Sequence, residues 1–173
     1  NKYASLFGVV CGEKNILFTN NDSAYETAAN LFRKGISIEA IIDNREEIDS
    51  KLIKESEKNN IKIYKGYTIV DTYGYKRINK ISIMQLSKDG QKVIGSKISI
   101  PCDCLGVSGG WTPSVHLFTQ SGGKLKFRDD DQVFIPNTYP SDQISIGSCN
   151  GDFTLDEILS NISKKLKEFL GVN

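Results

Sequence analysis

The chain has 173 residues, 39% of them hydrophobic, 25% charged and 9% aromatic, which suits one globular domain with a real core and is short for two. Lysine plus arginine (22) nearly cancels aspartate plus glutamate (21), so the basic excess of a nucleic-acid or membrane-surface protein is missing. No apolar run approaches the ~18 residues that a bilayer demands.

In chain order, Asn15-Ile-Leu-Phe-Thr19 reads as a short apolar strand. Asn20-Asn21-Asp22-Ser23 supplies a turn and a helix N-cap. Ala24, Ala28, Leu31 and Phe32 then recur along one helical face, and Gly35 ends that helix behind Arg33 and Lys34. Ser37-Ile-Glu-Ala-Ile-Ile42 is a second strand ending at Asp43, which completes a βαβ unit. A second helix is predicted from about Arg45 to Lys58, with Ile48, Leu52 and Ile53 inward, before a third strand at Ile61-Lys-Ile-Tyr64. The period then changes. Tyr67 to Tyr73, Arg77 to Leu86 and Gln91 to Ile100 alternate as strands, with turns at Gly74 and at Lys88-Asp89-Gly90, a strong hairpin signal.

Leu105 to Gly109 is predicted as one more buried strand, followed by Gly110-Trp111-Thr112-Pro113 and a short helical turn within residues 114 to 121. Lys124 to Phe127 and Gln132 to Ile135 are short strands around Asp129-Asp130-Asp131, read as a solvated loop because no calcium-loop spacing surrounds it. Ile144 to Ile146 is predicted as the last strand. Thr154-Leu-Asp-Glu157 is a capping box opening a terminal helix, whose stripe is Leu155, Ile158, Leu159, Ile162, Leu166 and Phe169. No repeat or low-complexity linker divides the chain. The fold class is α/β: a Rossmann-like βαβαβ parallel sheet with an antiparallel meander.

Little of this equipment is catalytic. Cys11, Cys102, Cys104 and Cys149 include no pair at zinc or iron–sulfur spacing, and are read as reduced thiols of a cytoplasmic protein. His116 is the only histidine and builds neither a metal site nor a triad by itself. Trp111 and Pro113 read as packing and turn residues, with a subunit contact as the alternative. The same alternative stands for the basic-aromatic hairpin loop of Tyr73, Tyr75, Lys76 and Arg77. No catalytic or metal-binding residue is assigned.

The order βαβαβ, meander, strand is that of the inserted NAD-type domain of two-dinucleotide flavoproteins. Such a domain normally carries G-x-G-x-x-G at its first turn, for the turn itself, the approach of the pyrophosphate and close packing of helix on strand. Here those places fall on Asn20, Asp22 and Tyr25, none of them glycine. Asn20 tolerates positive φ, so the turn can survive. Asp22 sets a carboxylate where phosphate oxygens would lie, a repulsion of ~1–4 kcal/mol at ~4 Å. Asp43, 23 residues beyond Asn20, remains where an acid would hold a ribose hydroxyl. A structural relic of a nucleotide turn is the expectation, with dinucleotide binding as its alternative.

Leu17-Phe-Thr-Asn-Asn-Asp-Ser-Ala-Tyr25 and Val107-Ser-Gly-Gly-Trp-Thr-Pro-Ser-Val-His-Leu-Phe-Thr-Gln-Ser-Gly-Gly-Lys-Leu125 resemble the α subunit of heterotetrameric sarcosine oxidase. The similarity extends from about Leu6 to Gly151, and the opening Asn1-Lys2-Tyr3, without methionine or signal peptide, fits an excised internal fragment. The resemblance implies one domain over residues 1–173. Within it, 15–146 is a degenerate NAD-type module, and 1–14 and 147–173 belong to a flanking dinucleotide domain. It further implies a complex that oxidises sarcosine with oxygen and water to glycine, formaldehyde and hydrogen peroxide. NAD, FAD, FMN and tetrahydrofolate would serve that complex, while the fragment binds no cofactor and is inactive alone. Its partners would be the flanking domains of the same chain and the other subunits, with no nucleic acid or membrane. An α-type subunit of an opine or proline-type amine dehydrogenase is the enzymatic alternative, and a non-catalytic assembly module the other.

One part of the nucleotide site is expected within the chain. In two-dinucleotide proteins the exit strand leads through a turn into a helix whose N-terminus faces the flanking dinucleotide. Gly147, Ser148, Asn150, Gly151 and Thr154 have that order, and free amides at a helix start suit a pyrophosphate. Ser148-Cys149 stands where an acid would be expected. A side chain at Gly151 is expected to intrude on the NAD.

Overall fold

The computed structural model describes residues 1–129, 131–140 and 142–171. It divides into two compact units, residues 1–110 and 111–173, at a point where the sequence reading draws no boundary.

The first unit opens with a helix the sequence reading did not anticipate, α1 (Lys2–Phe7), none of whose residues is buried. The strands β1 (Asn15–Thr19), β2 (Ile38–Asp43), β3 (Lys62–Lys65) and β7 (Cys104–Ser108) form a wholly parallel sheet in the order β3-β2-β1-β7. The helices α2 (Ser23–Arg33) and α3 (Ser50–Lys58) lie in the two crossovers, as a parallel ladder requires. The meander β4 (Tyr67–Gly74), β5 (Ile78–Leu86), β6 (Val93–Pro101) is inserted before β7 and pairs antiparallel throughout. At its second turn Gly90 takes φ 67°, and Ser87 N–H closes on Lys92 O at 2.8 Å, as the Asp-Gly pair predicts.

Alternation along the strands, with a register shift between Asn15 and Ile16 that lets Ile38 share a face with Ile41, sorts the core into two layers. Leu17, Ile38 and Ile41 face Tyr25 and Ala28 of α2, with Leu31, Ile48 and Leu52 packed around them. Their neighbours Ile16 and Ile42 point the other way, onto Ile81 and Ile83 of the meander and Cys102. Helices, parallel sheet and meander are thus stacked around β1 and β2, both covered on two faces.

Several expectations are corrected. Phe32 is exposed, while Ala24, Ala28 and Leu31 face the core as expected and Tyr25 and Ala29 join them. The second helix begins at Ser50 rather than Arg45, because the Asp49 carboxylate accepts the Lys51 N–H at 2.7 Å and fixes the N-cap there. The strand expected to be buried at 105–109 is the sheet's edge β7, with Val107 turned outward and 67% exposed.

In the second unit, α4 (His116–Gln120) buries Phe118 while His116 and Trp111 are exposed and Pro113 is fully buried. The hairpin β8 (Lys124–Arg128), β9 (Val133–Thr138) follows. Of the acidic triplet between its strands, Asp130 lies outside the described residues, and Asp131 pairs with Arg128. Ile144 to Ile146 form no ladder with any described strand; the segment is extended at Ile146 (φ −134°, ψ 146°) but lacks a sheet edge beside it. A 3-10 turn at Gly147–Asn150 leads into α5 (Leu155–Leu170). The α5 stripe is no core: none of its residues is buried, and Leu155, Leu159, Leu166 and Phe169 are exposed.

Candidate functional site

In open parallel sheets, ligands sit beyond the carboxyl ends of the strands, where connections leave in opposite directions. In the first unit that place lies between β1 and β7, since the chain runs outward from β1 to β2 and β3 and returns to β1's other side. Three groups are gathered there.

The first is the turn after β1. Thr19 Oγ1 accepts the Asn21 N–H at 3.1 Å and donates to Asn21 O at 3.0 Å. The Asn21 side-chain oxygen accepts from both the N–H and the hydroxyl of Ser23, and the Tyr25 N–H closes on Asp22 O at 3.0 Å. Three amides that could cradle phosphate oxygens, those of Asn21, Ser23 and Tyr25, are therefore already spent inside the turn. Asn20 does not take positive φ, so the turn survives by this hydrogen bonding rather than by left-handed backbone.

The second group bridges the crevice itself. Asn21 Nδ2 donates to the carbonyl (3.0 Å) and hydroxyl (3.2 Å) of Ser108 at the end of β7, and Asn20 Nδ2 donates to Gly109 O at 3.3 Å. The two asparagines lace β1 to β7 across the space a pyrophosphate would enter.

The third is Asp43, at the end of β2, whose side chain is completely buried. Its Oδ1 accepts from Arg45 N (2.9 Å) and Nε (3.1 Å); its Oδ2 accepts from Arg45 Nη2 (2.8 Å) and the Tyr25 hydroxyl (3.1 Å). A carboxylate offers about four acceptor sites, so none remains for a ribose. Arg45 Nη2 also reaches Asp22 Oδ1 at 2.8 Å. The repulsion expected from Asp22 is thereby offset: a guanidinium already occupies the position between the two acids. The hydrogen bonds to Asp43 hold Arg45 above its ordinary range, against a smaller opposing effect of burial. Burial, with the charge of Asp43 beside it, pushes the Tyr25 phenol well above its usual value, so it stays a neutral donor.

Sequence reading named Asp22, Tyr25 and Asp43 here but missed Arg45, which it placed at the start of the second helix. The signal was its position two residues after Asp43, where a backbone N–H and a guanidinium can fork onto one carboxylate. Tested against a dinucleotide, these residues do not fit.

The exit segment lies in the second unit. Gly147 (φ 72°) is buried and Ser148 exposed. Asn150 accepts from the Tyr139 hydroxyl at 3.1 Å and donates to Asp152 Oδ2 at 3.2 Å. Gly151 takes φ 83°, and a Cβ there would stand 2.8 Å from Ile135 Cγ2 and 3.0 Å from Arg128 Nη2. Whatever else it faces, this glycine is required by its own unit. Thr154 completes the expected capping box: its hydroxyl accepts from Glu157 N–H at 3.3 Å, and Glu157 Oε2 accepts the N–H groups of Phe153 (3.1 Å) and Thr154 (3.0 Å). The amides of Gly151 and Asp152 close on Ser148 O and Gly147 O. Of the five expected residues, Ser148 has the exposed side chain that no hydrogen bond among the described residues engages. Among the described residues, no group of three His, Cys, Asp or Glu side chains could hold a metal. No helix among them is long and apolar enough to cross a membrane.

No family model matches the chain. Among curated proteins, the sarcosine oxidase subunit alpha of Corynebacterium sp. (strain P-1) is 29% identical over 160 residues, which cover 91% of this chain and 16% of that protein. The chain is similar to sarcosine oxidase alpha subunits. The counterpart from Rhizobium meliloti (strain 1021) is 26% identical over 133 residues, 77% of this chain and 12% of its own length. The chain thus spans less than a fifth of these alpha subunits. Solved structures show the same fold. A flavoprotein disulfide reductase of Escherichia coli matches with a TM-score of 0.63 at 9% identity, covering 94% of this chain and 36% of that one. The thioredoxin reductase of T. acidophilum matches at 0.59 and 14%, covering 91% and 52%.

Proposed function

We propose that this chain is a nucleotide-free scaffold module in the alpha subunit of a multimeric, flavin-dependent sarcosine oxidase. The assembled enzyme would act in the cytoplasm, converting sarcosine, oxygen and water to glycine, formaldehyde and hydrogen peroxide. The observation that carries the scaffold role is the saturated Asp43: Arg45 and Tyr25 fill every acceptor position that a ribose would need. Similarity to sarcosine oxidase alpha subunits supports the choice of enzyme, and 12–16% coverage of their length supports further domains around the module.

NAD, FAD, FMN and tetrahydrofolate belong, on this reading, to those other domains and subunits. The module, residues 15–146, would be framed by 1–14 and 147–173 as parts of a flanking dinucleotide domain. Unburied α1 and the exposed stripe of α5 support that framing, because both present apolar surface that a neighbouring domain would cover. Gly147, Ser148, Asn150, Gly151 and Thr154 would then lie near that domain's NAD, with Ser148 the side chain free to touch it.

The test uses the intact multimeric protein with sarcosine as substrate and oxygen uptake as readout. Arg45→Ala should lower the yield of assembled enzyme while leaving turnover per assembled complex and NAD content unchanged. A fully assembled variant that loses NAD or turnover would show that this turn serves a nucleotide site after all. Absence of sarcosine oxidation in the unaltered complex would remove the enzyme assignment and leave the scaffold role standing.

A further inference from the structure

The segment preceding β1 runs against the approach to β7, and the two carry cysteines. Glu13 and Lys14 donate their N–H groups to the two carboxylate oxygens of Asp103, at 3.0 and 2.8 Å, and Asp103 N–H returns to Lys14 O at 3.2 Å. Asn15 Nδ2 closes on Gly12 O at 2.8 Å, so residues 12 to 15 are held as a fixed bend. At Gly12 the two segments press together, and a Cβ there would meet Asp103 Oδ1 at 2.5 Å. The same Cβ would stand 2.6 Å from Cys104 Cβ, closer than even disulfide-bonded Cβ atoms come. Cys11 is the next residue, one ~3.8 Å Cα step away. Glycine at 12 is what lets the two cysteine-bearing segments meet.

We propose that Cys11 and Cys104 are a redox pair that closes into a reversible intrachain disulfide under hydrogen peroxide. Cys11 is exposed and meets the oxidant first; Cys104 is half-buried and free. The Cys11 thiolate attacks one peroxide oxygen, the O–O bond breaks, and Cys11 becomes a sulfenic acid with release of hydroxide. The Cys104 sulfur then attacks the Cys11 sulfur, the S–O bond breaks, and the departing hydroxyl leaves as water with the Cys104 proton. In sum, two thiols are oxidised, one peroxide is reduced, and two waters form once the hydroxide is protonated. Burial, and then the nearby Cys11, push the Cys104 thiol up, which suits a resolving partner better than a first reactant. Cys102 takes no part, being buried in the core against the meander.

The experiment treats the intact polypeptide with hydrogen peroxide, blocks remaining thiols with an alkylating reagent, and digests on the amino side of aspartate. That cleavage before Asp103 separates Cys102 from Cys104. A linked peptide joining Cys11 to Cys104 is expected, short of the summed thiol masses by two hydrogens. Two of the four thiols should disappear and return with dithiothreitol. The link should form equally at low and high protein concentration, and the oxidised protein should melt at higher temperature than the reduced one. Cys104→Ser should divert Cys11 to a sulfenic acid that dimedone captures. Cys11 joined to Cys149 or to a second copy, or Cys104 still fully alkylated after Cys11 is consumed, would overturn the proposal.

Discussion

Arg45 reaches two carboxylates with one guanidinium, and what the end of β2 can bind follows from that. Asp43 is the member that cannot be left alone, because its carboxylate has no exposure to water. Removing the Arg45 side chain leaves it with the Tyr25 hydroxyl and the residue-45 backbone N–H but no counter-charge, and losing the partner of a buried charge costs ~3–5 kcal/mol. Arg45→Ala should therefore shift the urea midpoint strongly, and Arg45→Lys should recover only part of the loss because an ammonium cannot fork onto both oxygens. Tyr25→Phe removes one hydrogen bond and should cost ~1–2 kcal/mol in the same measurement. Asp22 is more than half exposed, so Asp22→Ala should cost no more than ~1 kcal/mol. If Arg45→Ala unfolds at the same urea concentration as the parent, the network is not what holds this turn. Spacing alone pointed to Asp22, Tyr25 and Asp43, because it marks where a nucleotide turn must be. It could not show that they join one another through Arg45, since that depends on where the chain after β2 turns back.

At the scale of elements, the readable parts were those with local causes. Apolar runs flanked by turn residues gave β1 to β3, the Asp-Gly pair gave the β5–β6 turn, and Thr154 with Glu157 gave the start of α5. Misreadings had tertiary causes: Ile144 to Ile146 pair with no described strand, and Phe32, two turns beyond Tyr25 on its face, sits in the last turn of α2 where it is exposed. Gly151 shows how a functional expectation changes once contacts are known. With φ 83° and Ile135 only 2.8 Å from an added Cβ, Gly151→Val should destabilise the second unit outright, by more than ~1 kcal/mol. Thr154→Ala should cost ~1 kcal/mol through the lost cap. Thermal melts of both variants check this, and Gly151→Val melting with the parent would mean the glycine serves only a ligand. The capping box also carries a pH signature. Hydrogen bonds from the Thr154 and Phe153 backbone hold the Glu157 carboxyl below its usual range. A depressed folded value contributes stability that is present above the unfolded value and lost as pH falls through the folded one. The Phe153 and Thr154 amide resonances should accordingly shift below pH ~4.3, the ordinary glutamate value, and hold steady above it.

At the scale of the whole molecule, two helices, α1 and α5, have no fully buried residue, and of its apolar stripe α5 tucks in only Ile158 and Ile162 part-way. In α5 the stripe of Leu155, Leu159, Leu166 and Phe169 keeps the 3.6-residue period of a packed helix, yet all four are exposed. In α1 and just beyond it, Tyr3, Leu6, Phe7, Val9 and Val10 are exposed as well. Scattered apolar residues on a surface mean little, but a periodic stripe is a face shaped for a partner. Burying one leucine is worth ~1.5–3 kcal/mol, so covering such a stripe would contribute several times the stability of a single contact. The 173-residue chain expressed alone should therefore self-associate with rising concentration, by sedimentation velocity, and Leu159→Glu with Leu166→Glu should return it to a single slower species without shifting its melt. In the intact multimeric protein the same pair of substitutions should lower the yield of assembled complex. A chain that stays monomeric at all concentrations, together with full assembly of the doubly substituted complex, would mean that the stripe meets water in the working protein.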